Sequence, residues 1–188
     1  MAWTKLGDIR PLYNHVAVVA GDLAVMAGWP GAEAAGYPED EYELDAGTVM
    51  VFDLNLVGPT VFLDQGRIQL VASLDGKGTA NVDEATLASA LDAPGSTQVW
   101  GSFDVAHGAM VLTCADCATP VEGTSTADPT RATIPKDVPA GPVQLGKTMV
   151  VIPCANGRYD VSQVAKVEAK HGGFDFVLKL TITKAPDA

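Results

Sequence analysis

The segment from Phe174 to Thr183 constrains the chain most tightly. Phe176, Leu178, Leu180 and Ile182 fall on one side of an extended backbone, and Asp175, Lys179, Thr181 and Thr183 on the other, with Val177 alone breaking the alternation. A period of two is the mark of a half-buried antiparallel strand, because successive side chains leave opposite faces of a sheet. His171-Gly172-Gly173 precedes it as a turn signal and Val161 to Ala169 reads as its partner strand, so the chain is expected to finish as a hairpin.

Other short apolar segments bounded by Gly, Pro or Asp predict strands at His15 to Ala20, Leu23 to Ala27, Thr48 to Leu54, Thr60 to Leu63, Arg67 to Leu74, Gln98 to Val105, Ala109 to Thr113 and Lys147 to Ile152. Gly21-Asp22, Val57-Gly58-Pro59, Asp64-Gln65-Gly66 and Ala106-His107-Gly108 supply the residues that tight connections favour. Meanders of antiparallel strands follow. One segment breaks the pattern: over Asp83 to Leu91, Leu87 and Leu91 stand one helical turn apart, with Asn81 or Asp83 as a cap and Glu84 near the positive end of the dipole. Pro94-Gly95 ends it. Two stretches read as loops, Gly28 to Gly47 and Ala118 to Pro142, the second with five prolines that deny amide donors to a ladder. The expected fold is therefore mainly β, α+β at most, with antiparallel sheets arranged as two packed sheets or two subdomains and one short helix near 83–91. A single domain over 1–188 is expected, with the 118–142 loop as the place where two lobes would divide.

Charge and size then narrow the function. The 188 residues carry 12 Lys+Arg against 23 Asp+Glu, a net charge of −11, with 47% hydrophobic residues. A 19.5 kDa chain exposes about 8,500 Å² folded against about 28,000 Å² extended, so about 70% of its surface is buried, enough for its own core. This apolar content argues against intrinsic disorder, and the negative charge argues against nucleic acid as a partner. No window reaches the roughly 20 apolar residues of a membrane-spanning helix, so no membrane is expected. Val16 to Trp29 is a poor signal peptide because Asp22 interrupts it. Three cysteines, an odd number, fit a reducing compartment, and a cytoplasmic location is expected.

The residues do not spell out a catalytic chemistry. Cys114-Ala115-Asp116-Cys117 is a C-x-x-C, and Cys154 with His107 would complete four zinc ligands if the fold gathered them. A ribbon site supplies a second close pair, however, and no helical pattern follows Cys117 to favour a redox thiolate. His15, His107 and His171 are dispersed, no serine sits on a nucleophile elbow, and Asp75-Gly76-Lys77-Gly78 lacks the spacing of a phosphate loop. Solvated carboxylates and turn chemistry account for these features, so no catalytic residue, metal or cofactor is expected.

The uneven distribution is that of charge. Between Arg10 and Arg67 there is no Lys or Arg, while carboxylates recur throughout, most densely in Pro38-Glu39-Asp40-Glu41-Tyr42-Glu43-Leu44-Asp45. Carboxylates steer a basic partner, and aromatic side chains supply buried anchor area at low entropic cost. The candidate contact residues are accordingly Glu39, Asp40, Glu41, Glu43 and Asp45, with Trp29, Tyr37 and Tyr42 as anchors. A solubilising loop whose Trp29 and Tyr42 pack inward is the competing reading.

The order of these features resembles that of β-rich immunity proteins from bacterial polymorphic-toxin systems. The resemblance is carried by Gly21-Asp22-Leu23 leading to Trp29-Pro30-Gly31, the acidic stretch with Tyr42, the strand at Thr48 to Leu54 and Pro59-Thr60-Val61-Phe62-Leu63. Trp100 and Asn156-Gly157-Arg158-Tyr159-Asp160-Val161, similar to a G-x-Y-x-V ending, complete it; Ala118 to Pro142 is unmatched. It implies a non-catalytic protein that neutralises a cognate toxin, or another basic protein, by stoichiometric association through an acidic surface. Two alternatives stand beside it: a metal-binding or thiol-dependent protein built on Cys114, Cys117, Cys154 and His107, and a structural or assembly protein.

Overall fold

A computed structural model describes residues 3–10, 17–36, 40–53, 58–73, 84–92, 99–116, 118–119, 132–168 and 176–186, with the backbone alone at 40, 53, 72–73, 163–168 and 176–178. Among the described residues there are twelve strands and two helices. In chain order they are β1 (Thr4–Asp8), β2 (Ala17–Asp22), α1 (Leu23–Met26), β3 (Asp40–Leu44), β4 (Gly47–Asp53), β5 (Thr60–Asp64), β6 (Arg67–Ser73), α2 (Glu84–Asp92), β7 (Val99–Val105), β8 (Ala109–Cys114), β9 (Val143–Leu145), β10 (Met149–Pro153), β11 (Gly157–Glu168) and β12 (Phe176–Lys184). They form two six-stranded antiparallel sheets, in the orders β1-β5-β6-β12-β11-β7 and β3-β4-β2-β8-β10-β9. The mainly β fold expected from the sequence is the fold observed.

Period-two alternation explains how the two sheets meet. From the first sheet, Val61, Ile68, Leu70, Phe103, Val161, Leu180 and Ile182 point into a common core, and from the second Val18, Ala20, Met50, Phe52, Met110, Leu112, Val150 and Ile152 meet them. The intervening residues of the second sheet, Val19, Val49, Val51, Val111, Met149 and Val151, face away and are covered by α1, Trp29, Ala32 and Ile134. The centre of this sheet is therefore apolar on both faces, and every residue of β8 is buried. The outer face of the first sheet is covered in part by α2, which packs Ala90 and Leu91 against Phe62 and Val71.

Most predicted strands lie within a few residues of observed ones, and α2 matches the expected helix. Its candidate caps Asn81 and Asp83, like the turn at 171–173, lie outside the described residues. Several expectations are corrected. Leu23 to Ala27 is a helical turn rather than a strand, because Asp22 accepts hydrogen bonds from the amides of Ala24 at 2.8 Å and Val25 at 3.4 Å and so caps α1. Gly21-Asp22 is consequently the end of β2 and not a hairpin turn. Ala106-His107-Gly108 does not fold β7 back on β8; it carries the chain from one sheet to the other, since β7 pairs with β11 and β8 with β2 and β10. By contrast, Gln65-Gly66 does close the β5–β6 hairpin, with φ of 46° and 80°, the positive values that a two-residue hairpin turn needs. β1 and β9 add edge strands that the sequence did not signal, and β3 lies inside the stretch read as loop. The polar face of the C-terminal strand is also covered: Lys179 is 1% exposed.

The described parts of 118–142 contain no ladder strand. Strands from either side of this segment interleave, with β11 and β12 between β6 and β7, and β10 beside β8.

Candidate functional site

β3 and β7 are both edge strands, and they lie on the same side of the molecule. Among the described residues β3 pairs only with β4, and β7 only with β11. β7 packs against β3 and β4 across the gap between the sheets. Gly101 makes the approach close, because a Cβ there would fall into the Met50 side chain. The opposite side is closed differently: β1 lies against β9 and β10, and the Gln144 side-chain amide donates to the Asp8 carbonyl at 2.9 Å.

Alternation along β3 divides its residues. Tyr42 and Leu44 pack onto the outer core of the second sheet, leaving Glu41 and Glu43 on the side facing the first sheet. Glu43 accepts a hydrogen bond from Oγ1 of Thr48, its cross-strand partner, at 2.7 Å. Glu41 reaches across and accepts from the amide of Ser102 at 3.3 Å. A charged side chain on that amide blunts an edge that would otherwise recruit another strand. Asp45 follows in the β3–β4 turn, and Glu41, Glu43 and Asp45 are exposed.

The first sheet contributes apolar area to this acidic edge. Val161 pairs with Gly101 and the next residue, Ser162, with Val99, so Trp100 is the extra residue of a β-bulge. A bulge re-aims its side chain, and the Trp100 ring lies 6.3 Å from that of Phe52 at the mouth of the inter-sheet core. Trp100 remains 38% exposed and Val99 51%. The result is an aromatic and aliphatic patch at one end of this sheet edge, with Glu41 next to it at Gly101 and Ser102 and with Glu43 and Asp45 further along β3 and its turn. Arg158, on the neighbouring β11, donates to the Ser102 hydroxyl.

The sequence-derived residues are thus only partly gathered. Glu41, Glu43 and Asp45 lie at this edge, and the backbone of Asp40 begins β3. Tyr37 and Glu39 lie outside the described residues. Trp29 is 2% exposed and its indole N–H donates to the Ala115 carbonyl at 2.9 Å, so it is corrected from a surface anchor to a core residue. Tyr42 is half-buried and meets the Trp29 ring edge-on, with centroids 5.7 Å apart. The exposed apolar residues at this edge that the sequence did not single out as contacts are Trp100 and Val99. Trp100 falls within the strand predicted at Gln98 to Val105, but the approach of that strand to the acidic stretch is a product of tertiary packing.

The alternative thiol and imidazole set is not assembled. Cys114 lies opposite the Thr148 end of the β8–β10 ladder, whereas the Cys154 amide donates to the Gly108 carbonyl at the other end, at 2.9 Å. That separation is about 15–20 Å along the strands. Cys117 lies outside the described residues, and among those described no three metal-ligating side chains converge. His107 is used locally: its Nδ1 lies 2.8 Å from Oδ1 of Asp22, and the amides of Ala106 and His107 donate to Oδ2 at 2.8 and 2.9 Å. The sheet crossover is thereby tied to the cap of α1. Burial pushes the Cys154 thiol up despite a hydrogen bond with Tyr159, which disfavours a reactive thiolate.

No helix among the described residues is long and apolar enough to cross a membrane. Comparison with protein-family models, curated proteins and solved structures finds no match to this chain.

Proposed function

We propose that this protein is a non-catalytic binding protein, working in the bacterial cytoplasm, that neutralises a cognate toxin by stoichiometric association through its acidic edge. The observation that supports this reading is the pairing of an exposed acidic edge strand, carrying Glu41, Glu43 and Asp45, with a neighbouring edge strand that exposes Trp100 and Val99, Glu41 bridging the two at Ser102. An exposed aromatic ring on an acidic edge suits a basic partner: the charges steer the encounter, and the ring supplies the desolvated anchor on which most binding energy concentrates.

The test is titration calorimetry and stopped-flow binding against the inactivated product of the gene immediately upstream, at low and physiological salt. Tight one-to-one binding is expected. Glu41→Gln, Glu43→Gln and Asp45→Asn together should slow association and flatten its salt dependence, because exposed charges act over a Debye length of about 8–10 Å. Trp100→Ala should instead speed dissociation, weakening binding by about tenfold or more. Unchanged kinetics in both variants would remove this edge from the mechanism.

A further inference from the structure

Among the described residues the sheets end in β1 and β7 on the first and β3 and β9 on the second. Three of these edges are blunted against further pairing. β1 is broken by a register shift between Lys5 and Gly7, β9 has only three residues, and β7 carries the Trp100 bulge. Carboxylates also occupy the amide of Ser102 in β7, from Glu41 at 3.3 Å, and that of Ala106 just beyond it, from Asp22 at 2.8 Å. β3 has none of these devices: its five residues pair with β4 in unbroken register.

The turn shows which backbone groups of β3 are left over. Leu44 pairs with Gly47 across Asp45-Ala46, and the residues flanking a two-residue turn exchange both of their hydrogen bonds. Tyr42 does the same with Val49, two residues further on. Glu41 and Glu43 therefore direct their N–H and C=O away from β4, to the outside of the sheet. Their side chains stand on the face turned toward the first sheet, and Tyr42 and Leu44, partly exposed, stand on the other. A second copy pairing antiparallel at this edge would set glutamates against glutamates, and like charges directly opposite destabilise a ladder. The strand that fits carries cations opposite Glu41 and Glu43 and apolar side chains beside Tyr42 and Leu44.

We propose that β3 takes up an extended basic segment of a partner protein as an added antiparallel strand, in which Lys or Arg alternates with apolar residues. This rests on the reading of the acidic edge as a protein-binding surface and specifies the form of the segment bound there.

The test uses the full chain and a heptapeptide of alternating lysine and valine, acetylated and amidated, followed by fluorescence anisotropy and by amide hydrogen exchange. Saturable binding is expected, with slower exchange at Glu41 and Glu43. In the antiparallel register the lysine amides face β3 and the valine amides face solvent. N-methylation of the lysine amides should weaken binding by about tenfold or more, and N-methylation of the valine amides should leave it unchanged. Glu43→Pro deletes an outward N–H without touching a ladder bond to β4, and should weaken the peptide by about tenfold beyond the effect of Glu43→Gln, which removes the charge alone. If the proline variant fails to fold, the methylated peptides decide. Equal binding of the two methylated peptides, or protection that spares Glu41 and Glu43, would overturn the proposal. So would sedimentation showing that the protein alone dimerises with these amides protected, since the occupant would then be a second copy. A toxin bound equally by the proline and glutamine variants would overturn strand addition and leave the proposed function standing, whereas peptide binding at β3 without any toxin binding would do the reverse.

Discussion

Asp22 is 1% exposed and still favours its ionised form. Burial raises its pKa, but the amides of His107 and Ala106, the His107 ring and the amide of Ala24 all donate to its oxygens and together pull it below the usual carboxylate value. The donors come from two places, the start of α1 and the crossover from β7 to β8, so one carboxylate holds together segments that lie 85 residues apart. Asp22→Asn keeps the shape but confronts the converging N–H groups with an amide that is itself a donor. A loss of about 2–4 kcal/mol at neutral pH is expected from urea unfolding. Because the folded pKa is depressed, the stabilisation is complete above the unfolded value of about 3.9 and is lost as pH falls through the folded one. The difference between wild type and variant should therefore narrow towards about pH 3. Asp8 is lowered too, its burial outweighed by Thr60 and Lys5, and it leaves both proteins an acid-sensitive slope. A stability gap that stays constant with pH would show that the charge of Asp22 is not what matters.

The seating of α2 on the first sheet shows an element whose polar underside is enclosed. Lys179 Nζ and Gln69 Nε2 both donate to the Leu91 carbonyl, at 3.4 and 3.3 Å, capping the end of the helix from below. Burial, aided by nearby Arg67 and opposed by Asp92, lowers the Lys179 pKa to about 8. Between pH 8 and the unfolded value of about 10.4 the unfolded chain binds the extra proton, so this group makes the fold more stable as pH rises. Cys154 and Tyr159, both raised chiefly by burial, act in the opposite direction in the alkaline range. Comparison with Lys179→Met isolates the lysine: from pH 8 to 10 the wild type should gain up to about 3 kcal/mol on the variant, as read from urea midpoints. Parallel profiles would refute the assignment. The alternation of β12 was legible in the sequence; the cover over its polar face was not, because a helix that packs across a sheet leaves no trace in the period of the strand beneath. Similarly, Leu23 to Met26 is four apolar residues that periodicity alone cannot assign to helix or strand, and the cap that decides it is a hydrogen-bonding pattern. At the acidic edge the carboxylates were readable from composition. The approach of Glu41 to the strand that carries Trp100 depends on β3 and β7 lying at the same side of two different sheets.

At the scale of the whole molecule, topology determines what can fold alone. Sequence places a proline-rich segment at 118–142 where two lobes would part, yet the chain beyond it supplies β11 and β12 to the middle of the first sheet and β9 and β10 to one side of the second. Without them β6 and β7 lose the partners that join them into one sheet, the Leu180 and Ile182 layer is missing from the common core, and β8 loses the ladder that runs from Met149 to Pro153. Long-range contacts therefore dominate, and loop closure must precede most of the pairing energy. A chain ending at residue 117 is expected to lack a cooperative urea transition, although it retains eight of the twelve strands. The intact protein should unfold in one step, with tryptophan fluorescence and far-ultraviolet dichroism giving the same midpoint. Trp29 reports the outer core of the second sheet and Trp100 the gap between sheets, so single-tryptophan variants extend the comparison to each region. Separate midpoints, or a folded 1–117 fragment, would mean that the first two thirds of the chain form a lobe of their own and that the inter-sheet core is an interface between lobes.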